Sequence, residues 1–218
     1  MDDLRDRLSH VLWIGGAPLA GKTTLSRLLA GKYDLKIYNC DWHHVHEHRS
    51  RPAGVAPGWD EMSMDERWLR PTARELADRD AASWTARSRL VIEDLLVLPA
   101  TRTIVAEGPS VFPWWVAPLV RSPRQGIWLV PTRELQESVL SRRHRDDPGP
   151  PWIAGTSDPA RARRNQRDRD AILAERVVAS CDDLGLRYVR LDGSLDLDDS
   201  LALLERHFAP HLPSTFNV

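Results

Sequence analysis

Residues 16–23 have the pattern G-x-x-x-x-G-K-T, which constrains the fold more than any other feature of the chain. Glycines at both ends let the backbone curl so that successive N–H groups point inward, as the binding of a phosphate requires. In such a loop the lysine reaches the terminal phosphates, the threonine hydroxyl holds Mg²⁺, and the following helix adds the positive end of its dipole. The pattern predicts nucleotide contacts from Gly16, Ala17, Pro18, Leu19, Ala20, Gly21, Lys22, Thr23 and Thr24.

The residues on either side of this loop fit the structure that the pattern requires. Residues 10–14 are a short, mainly apolar run that predicts a strand, and residues 24–30 carry apolar side chains at helical spacing. Among 30 basic residues only three are lysines, and one of them, Lys22, occupies the loop. A compact ammonium fits inside such a loop where a planar guanidinium would not. The context therefore supports phosphate binding independently of the pattern.

The composition of the 218 residues suffices for one α/β domain and disfavours several other classes of protein. A formal net charge of −1 provides no basic field for nucleic acid, and no apolar stretch is long enough to span a membrane. The charged first residues do not resemble a signal peptide, and Cys40 and Cys181 are too few for a disulfide framework. We therefore expect a cytoplasmic monomer or homodimer that binds neither nucleic acid nor membrane.

Short apolar runs alternate with helical segments along the chain, which indicates a parallel sheet with helices on both faces. Residues 42–59 contain His, Pro and Gly and are predicted to form a loop, whereas residues 63–98 are mainly helical, with a helix starting at Pro71. Every predicted strand ends in polar or Gly-rich residues, and parallel α/β sheets carry their active sites at these ends. The predicted strands are residues 10–14, 35–40, 103–106, 126–130 and 187–191, and the last two long helices are 159–184 and 197–208.

Two acidic residues at strand ends are candidates for chemistry on a bound nucleotide. Asp41 follows the second predicted strand, where its carboxylate could take the proton of an attacking hydroxyl as a general base. A helix N-cap or a plain loop aspartate is the alternative for Asp41. Glu107 ends the third strand and would hold Mg²⁺ together with Thr23, or else contact the acceptor. Gly108 would let a ligand approach the backbone closely.

Residues 42–48 are rich in histidine. His44 and His48 are four residues apart, a spacing that on a helix would offer two zinc ligands, but no cysteine joins them and a third ligand is not evident. A segment facing the substrate is the preferred interpretation, and a solvated loop is the other. Trp59 lies in a Pro- and Gly-rich stretch and is predicted to form part of the wall of the acceptor cavity. The predicted acceptor site comprises Asp41, His43, His44, Trp59, Glu107 and Gly108.

Arginines cluster in a Pro- and Gly-rich segment and in the helix that follows it, over residues 142–168. An arginine on a closing segment can neutralise the charge that develops on phosphoryl oxygens, and closure keeps water out. Arg143 and Arg167 are predicted to act in this way. Most of the other arginines between Arg142 and Arg169 are expected on a solvated helix face, with Asp168 and Asp170 as partners.

Taken together, these motifs resemble the small-molecule and nucleoside kinase branch of the P-loop NTPase superfamily. More narrowly, residues 13–18, 64–68 and 93–96 are similar to uncharacterised bacterial AAA-type ATP-binding proteins. The resemblance implies a three-layer α/β P-loop fold with five parallel strands in the order 2-3-1-4-5 and Mg·ATP as donor. It further implies an acceptor-binding helical region over residues 42–98, a lid over 142–168, and an adenine site at Asp192, Gly193 and Ser194.

The sequence thus predicts an enzyme that transfers the γ-phosphate of Mg·ATP to a hydroxyl of a small molecule, which could be a metabolite, a nucleoside or an antibiotic. Lys22, Asp41, Arg143 and Arg167 are its predicted catalytic residues. A nucleotide-dependent switch that meets a partner protein through exposed tryptophans, such as Trp114 and Trp115, is an alternative. A nucleic-acid end kinase is a third possibility, which the near-neutral charge weakens.

Overall fold

Five mainly apolar segments form one sheet in the part of the chain that the computed structural model describes, namely residues 2–52, 54–143 and 151–213. The strands are β1 (Val11–Gly16), β2 (Lys36–Asn39), β3 (Ile104–Glu107), β4 (Gly126–Pro131) and β5 (Arg187–Leu191). Their order in the sheet is β2-β3-β1-β4-β5, and every neighbouring pair is parallel. The predicted fold class and strand order are therefore confirmed.

Helices follow each strand and cover both faces of the sheet. Those of the described residues are α1 (Asp2–Arg7), α2 (Lys22–Tyr33), α3 (Cys40–His46), α4 (Met64–Trp68), α5 (Ala73–Val97), α6 (Pro113–Val116), α7 (Arg133–Arg143), α8 (Pro151–Ala154), α9 (Pro159–Leu184) and α10 (Leu197–Phe208). Single 3₁₀ turns occur at His48–Ser50, Ala117–Leu119, Pro123–Gln125 and Ala209–His211.

The central strand β1 is buried on both faces, which explains why its sequence is continuously apolar rather than alternating. Successive side chains of a strand point to opposite faces of the sheet. Val11 and Trp13 accordingly belong to a core that contains side chains of α5 and α9. Leu12 and Ile14 belong to a second core, formed with α2 and α10. The sheet is thus the middle of three layers.

The segment predicted as a loop over residues 42–59 begins as a helix, so that prediction is wrong for residues 42–46 and for the turn at His48–Ser50. The cause is a cap: the side chain of Asn39 accepts a 2.7 Å hydrogen bond from the backbone N–H of Trp42. Asp41 lies in the first turn of α3, where a carboxylate complements the helix dipole. The predicted N-cap role therefore belongs to Asn39, two residues before Asp41.

The predicted helical region over residues 63–98 consists of two helices, each of which starts with a capping box. Ser63 and Glu66 exchange side-chain and backbone hydrogen bonds at the start of α4, as do Thr72 and Glu75 at the start of α5. The start predicted at Pro71 is therefore wrong by two residues, because Thr72 rather than the proline ring defines the first turn.

Because all five strands are parallel, their carboxyl ends lie along one edge of the sheet. The register aligns Glu107 of β3 with Ile14 of β1 on one side and with Asn39 of β2 on the other. The acid at the end of β3 is therefore flanked by the phosphate loop and by the start of α3, which carries Asp41.

Two further predictions concern the organisation of the chain. Among the described residues, no helix is both long and apolar enough to cross a membrane. The predicted lid over residues 142–168 includes residues 144–150, which lie outside the described ranges. The assignments of a lid and of an acceptor-binding region over residues 42–98 stay predictions.

Candidate active site

The loop between β1 and α2 has a backbone that depends on its glycines. Gly16 has a φ of 109° and Gly21 a φ of 75°, both in the region that favours glycine. A Cβ on Gly16 would lie 2.1 Å from the carbonyl oxygen of Leu129, which accepts a 3.1 Å hydrogen bond from the N–H of Ala17. The first glycine is thus required by the close approach of β4, and the last by its backbone conformation.

Helix α2 begins at Lys22 with no side-chain cap. The N–H groups in the first turn of a helix have no acceptor within the helix, and an anion commonly supplies one. The curled loop and this uncapped start of a 12-residue helix fit the phosphates of a nucleotide. This is the ligand that the sequence pattern predicts for the segment.

Lys22 is buried beneath the loop, and its ammonium group donates a 2.8 Å hydrogen bond to the carbonyl oxygen of Ala17. Burial lowers the pKa of Lys22, and the nearby carboxylates of Asp41, Glu107 and Asp170 partly offset that effect. The ammonium therefore lies among acids that come from three different elements. Two of them, Asp41 and Glu107, are residues that the sequence assigns to the site.

Glu107 is buried, and its Oε1 accepts hydrogen bonds from the Thr23 hydroxyl at 2.9 Å and the Asn39 amide at 2.5 Å. Burial raises the pKa of Glu107, against the opposing effects of the Thr23 hydrogen bond and the Lys22 charge. A hydroxyl and a carboxylate are hard oxygen donors of the kind that Mg²⁺ prefers. Thr23 and Glu107 are thus in contact and fit the predicted cation.

Asp41 lies near Glu107 and Gly108. A Cβ on Gly108 would lie 3.5 Å from Oδ1 of Asp41, an ordinary van der Waals distance, so the backbone of Gly108 is next to this carboxylate. Asp41 is accessible to solvent from the cleft, yet the surrounding protein atoms displace enough water to raise its pKa to about 6, against the opposing charges of Lys22 and Arg87. A carboxylate with such a pKa is suited to accept a proton near neutral pH.

A buried chain of hydrogen bonds runs from the segment after β3 to α5, and we call its members, Ser110, His44, His48 and Asp94, the histidine relay. His44 contacts Ser110 Oγ through Nε2 at 3.2 Å and His48 through Nδ1 at 2.9 Å. His48 Nε2 lies 2.7 Å from Oδ2 of Asp94, which also accepts a 2.6 Å hydrogen bond from the Tyr38 hydroxyl. Burial would raise the pKa of Asp94, but hydrogen bonds such as those from Tyr38 and His48 hold it below its usual value.

Burial lowers the pKa of His44 to about 3, so this ring is uncharged and uses one ring nitrogen as donor and the other as acceptor. The carboxylate of Asp94 accepts from its partners in the relay and from Tyr38. The relay thus holds α3 against α5 and the segment after β3.

The hydrogen bonds of the histidine relay involve His44 and His48, whose spacing of four residues suggested a zinc site as an alternative. The facing nitrogens of His44 and His48 bond to each other, and their remaining nitrogens contact the other members of the relay. His43, Glu47 and Asp94 bring three ligand atoms within 4.8 Å, but His43 Nδ1 is 2.6 Å from Glu47 Oε2 and Asp94 serves the relay. Hydrogen bonds thus engage the side chains of both clusters, and the zinc alternative stays a prediction.

A cavity of about 200 Å³ lies between α3, the segment after it, α5 and α9. His44 and Trp59, two of the predicted acceptor residues, line it. The other four, Asp41, His43, Glu107 and Gly108, are not among the residues that line it, and the ring of His43 stacks on Tyr38 with 4.0 Å between centroids. The cavity thus falls within the region that the sequence assigns to the acceptor, except for its contact with α9.

One face of α5 supplies five lining residues at helical spacing, namely Arg79, Asp80, Ser83, Trp84 and Arg87. Asp80 forms a buried ion pair with Arg169 of α9, whose Nε also lies 2.8 Å from Oδ1 of Asp170. The solvated face predicted for the arginines of α9 therefore does not include Arg169, which is 5% exposed. Burial raises the pKa of Asp170 to about 6 despite this partner.

The two predicted catalytic arginines lie in α7 and α9. Arg167 is exposed and borders a crevice with Gln136, whose amide donates a 3.3 Å hydrogen bond to the carbonyl oxygen of Pro18 in the phosphate loop. Arg143 is the last residue of α7, and its side chain lies outside the described part of the structure. The roles of both arginines stay predictions.

The predicted adenine segment follows β5. Its Asp192 side chain accepts hydrogen bonds from the backbone N–H and the hydroxyl of Ser194, at 2.9 and 2.6 Å, and Gly193 has a φ of 93°. The segment is therefore a tight exposed turn at the same edge of the sheet as the phosphate loop. Adenine contact stays a prediction.

Sequence reasoning missed several residues that organise this site. Asn39, which holds Glu107 and caps α3, was read only as part of a strand. Asp80 and Arg87 lie within a long helix whose pattern indicates packing, and nothing local marks them as cavity residues. The signal that could have found them is the repeat of polar and aromatic residues every three or four positions between residues 79 and 87.

No family model matches this chain, and no curated protein matches it. Solved structures with similar folds include shikimate kinase from Acinetobacter baumannii, determined in complex with shikimate. Its sequence is 16% identical to this chain, the TM-score is 0.43, and the alignment covers 96% of this chain and 99% of the kinase. Thymidylate kinase from Candida albicans is 12% identical with a TM-score of 0.44, and 95% of each chain is covered. An uncharacterized protein from Eubacterium ventriosum is 11% identical with a TM-score of 0.43, covering 91% of this chain and 98% of that one.

Proposed function

We propose that this protein is a phosphotransferase that moves the γ-phosphoryl group of Mg·ATP to a hydroxyl group of a small molecule. One observation carries the proposal: Lys22 of the phosphate loop, the pair Thr23–Glu107 and the carboxylate of Asp41 lie together, and Arg87, which lines the cavity, is near enough to Asp41 to influence its pKa. A loop that only bound a nucleotide would need neither the raised pKa of Asp41 nor the cavity.

The chain's own residues divide the work between donor and acceptor. The backbone of the loop and the first turn of α2 would hold the phosphates, and Lys22 would neutralise their charge. Thr23 and Glu107 would hold Mg²⁺, which supplies further positive charge to the phosphates when bound. Asp41 would orient the acceptor hydroxyl, and Gly108, which has no side chain, would let the acceptor approach the backbone nearby.

The proposed reaction balances without a further reactant. The acceptor oxygen forms a bond to the γ-phosphorus while the bond from that phosphorus to the bridging oxygen of ADP breaks. The hydroxyl proton passes to Asp41, and ADP leaves with the electron pair of the broken bond.

The switch alternative is supported less by Trp114 and Trp115 than the sequence suggests, although Trp42 is 51% exposed. Trp115 is 8% exposed. Trp114 stacks on Phe112 with 4.2 Å between centroids, and its indole N–H donates a 2.9 Å hydrogen bond to Thr85. The two tryptophans therefore pack within the fold.

Acceptor-dependent release of ADP tests the proposal. Purified protein with Mg·ATP is assayed against nucleosides, sugars, hydroxy acids and aminocyclitols, and phosphorylated product is identified by mass spectrometry. We expect at least one acceptor to stimulate release, and Asp41→Asn to abolish the stimulation while ADP still binds. If ATP binds but no acceptor stimulates release, or if Asp41→Asn leaves turnover unchanged, the proposal is wrong.

A further inference from the structure

We propose that the acceptor carries a negatively charged oxyanion, a carboxylate or a phosphate, which Arg87 binds inside the cavity. This inference rests on the proposed phosphotransferase function and names the chemical class of its second substrate. The evidence is the charge of the cavity wall, the bonding state of its arginines and the neighbouring aromatic rings.

The described cavity wall contains four arginines and a single acid. Arg169 forms buried ion pairs with Asp80 and Asp170, although its Nε makes no aligned hydrogen bond among the described residues, and Arg49 forms a surface ion pair with Asp60. Arg79 lies 3.5 Å from Asp80, which it shares with Arg169. Positive charge therefore exceeds negative charge on the wall even after these pairs are counted.

Arg87 is the arginine of the cavity that has no ion pair among the described residues. Its Nε is 3.4 Å from the carbonyl oxygen of Ser83, one turn earlier in α5, and this is a weak contact. The side chain is half-buried, and burial lowers its pKa while the charges of Asp80 and Asp41 raise it. A half-buried guanidinium with free N–H groups lacks hydrogen-bond acceptors, because N–H groups that are removed from water are normally hydrogen-bonded.

Arg79 adds positive charge to the same wall, but the protein holds its guanidinium. Its Nη1 donates a 2.9 Å hydrogen bond to the carbonyl oxygen of Arg67, and its Nη2 is buried, with no acceptor among the described residues. Arg87 is therefore the guanidinium that can offer free N–H groups to an oxyanion, and a guanidinium binds carboxylate and phosphate oxygens in pairs.

Aromatic rings form another part of the same wall. Trp59 and Trp68 pack edge to face with 5.8 Å between centroids, and Trp84 also lines the cavity. The guanidinium of Arg79 lies 4.8 Å from the Trp59 ring centroid, which fixes both groups. The wall therefore suits an anion attached to a ring or another apolar body.

An anion bound by Arg87 would also determine where the reacting hydroxyl of the acceptor lies. Arg87 and Asp41 are close enough that each shifts the pKa of the other. An acceptor whose anion binds Arg87 could therefore present a nearby hydroxyl to Asp41. The same positive wall would repel an aminocyclitol, which carries several ammonium groups.

Matched acceptor pairs test this inference. Nucleosides are compared with their 5′-monophosphates, and hydroxy acids with their methyl esters, with an aminocyclitol as the cationic member. Release of ADP is measured for wild type, Arg87→Gln, Arg87→Lys and the control Arg74→Gln, which changes an exposed arginine on the same helix. Binding of each compound in the presence of ADP is measured in parallel by calorimetry.

We expect the charged member of at least one pair to be preferred. Arg87→Gln should raise its KM about tenfold or more with a smaller change in kcat. Arg87→Lys should recover part of the loss, and Arg74→Gln should match wild type. The carboxylate and phosphate pairs distinguish the two oxyanions from each other.

Three negative outcomes lead to different conclusions. If neutral acceptors are phosphorylated as well as charged ones and Arg87→Gln changes no KM, this inference is wrong and the phosphotransferase function stands. If a charged compound binds through Arg87 but no compound stimulates ADP release, the proposed function is wrong and the oxyanion site stands. If no compound either binds or reacts, both are contradicted.

Discussion

The hydroxyl of Thr23 donates a 2.9 Å hydrogen bond to Oε1 of Glu107, which is 84 positions away in the sequence. This contact joins the start of α2 to the end of β3 and places two oxygen donors side by side. We expect Glu107→Gln to keep the hydrogen bond, because an amide oxygen also accepts, and to lose the charge that attracts Mg²⁺. The Mg²⁺ concentration that half-saturates ADP release should rise about tenfold or more, since a full charge is lost.

The control for this change is Glu175→Gln, which alters an exposed acid of α9. It should leave the Mg²⁺ titration unchanged. An unchanged titration for Glu107→Gln as well would show that Glu107 does not hold the cation.

The pH dependence of turnover should report Asp41. Burial raises the pKa of this carboxyl to about 6, and only the ionised form accepts a proton. At limiting Mg·ATP and acceptor, kcat/KM should therefore be low below pH 6 and rise to a plateau above it. Asp41→Asn should remove this limb and lower kcat by about 10²- to 10⁴-fold, as measured by ADP release between pH 5 and 9.

A control for the acid limb is Asp183→Asn, an exposed position on α9, which should keep the wild-type profile. If Asp41→Asn retains both the limb and most of the activity, another group accepts the proton.

The sequence predicts well those elements whose boundaries depend on the local spacing of apolar residues. β5 and α10 have the boundaries expected from their apolar spacing, and the phosphate loop lies between the strand and helix predicted for it. Helix α3 is not evident from the sequence because its histidines and tryptophan have only modest helix propensity. The helix is stabilised by a cap from Asn39, which lies in the preceding strand.

The candidate site was predicted only in part, because much of it depends on contacts between distant residues. Lys22 follows from the loop pattern, and Asp41 and Glu107 follow from strand ends, which the topology of a parallel sheet brings together. The pairing of Asp80 with Arg169 spans 89 positions, and nothing in the local sequence of α9 distinguishes this arginine from its exposed neighbours. Burial of a charge becomes visible only when both helices are in place.

The histidine relay should contribute to stability through Asp94. Asp94→Asn keeps the shape of the side chain but removes the charge that His48, Tyr38 and Arg51 share. We expect the free energy of unfolding to fall by about 2 kcal/mol, because buried donors lose a charged acceptor. Urea unfolding at pH 7.5 measures this change, and ADP affinity should stay near the wild-type value.

Glu93 offers a matched control for Asp94. It is the preceding residue of α5, is more exposed, and lies 2.6 Å from Arg51 in an ion pair at the surface. Glu93→Gln should change the free energy of unfolding by less than about 1 kcal/mol. Equal effects of the two substitutions would contradict a stabilising role for the buried relay.

The two glycines of the phosphate loop should respond differently to alanine. At Gly16 the new Cβ would lie 2.1 Å from the Leu129 carbonyl oxygen, so β1 and β4 must separate. At Gly21 no atom lies within 4 Å of a new Cβ, and only the φ of 75° is unfavourable. Gly21→Ala should therefore cost about 1–2 kcal/mol of unfolding free energy, and Gly16→Ala should cost more and abolish ADP binding.

Urea unfolding and calorimetric titration with ADP separate these outcomes. Gly21→Asn provides a further comparison, because asparagine adopts positive φ more readily than alanine. It should be more stable than Gly21→Ala and should still bind ADP. If Gly16→Ala binds ADP and unfolds at the same urea concentration as Gly21→Ala, the close approach of Leu129 does not shape the loop, and conformational freedom alone explains both glycines.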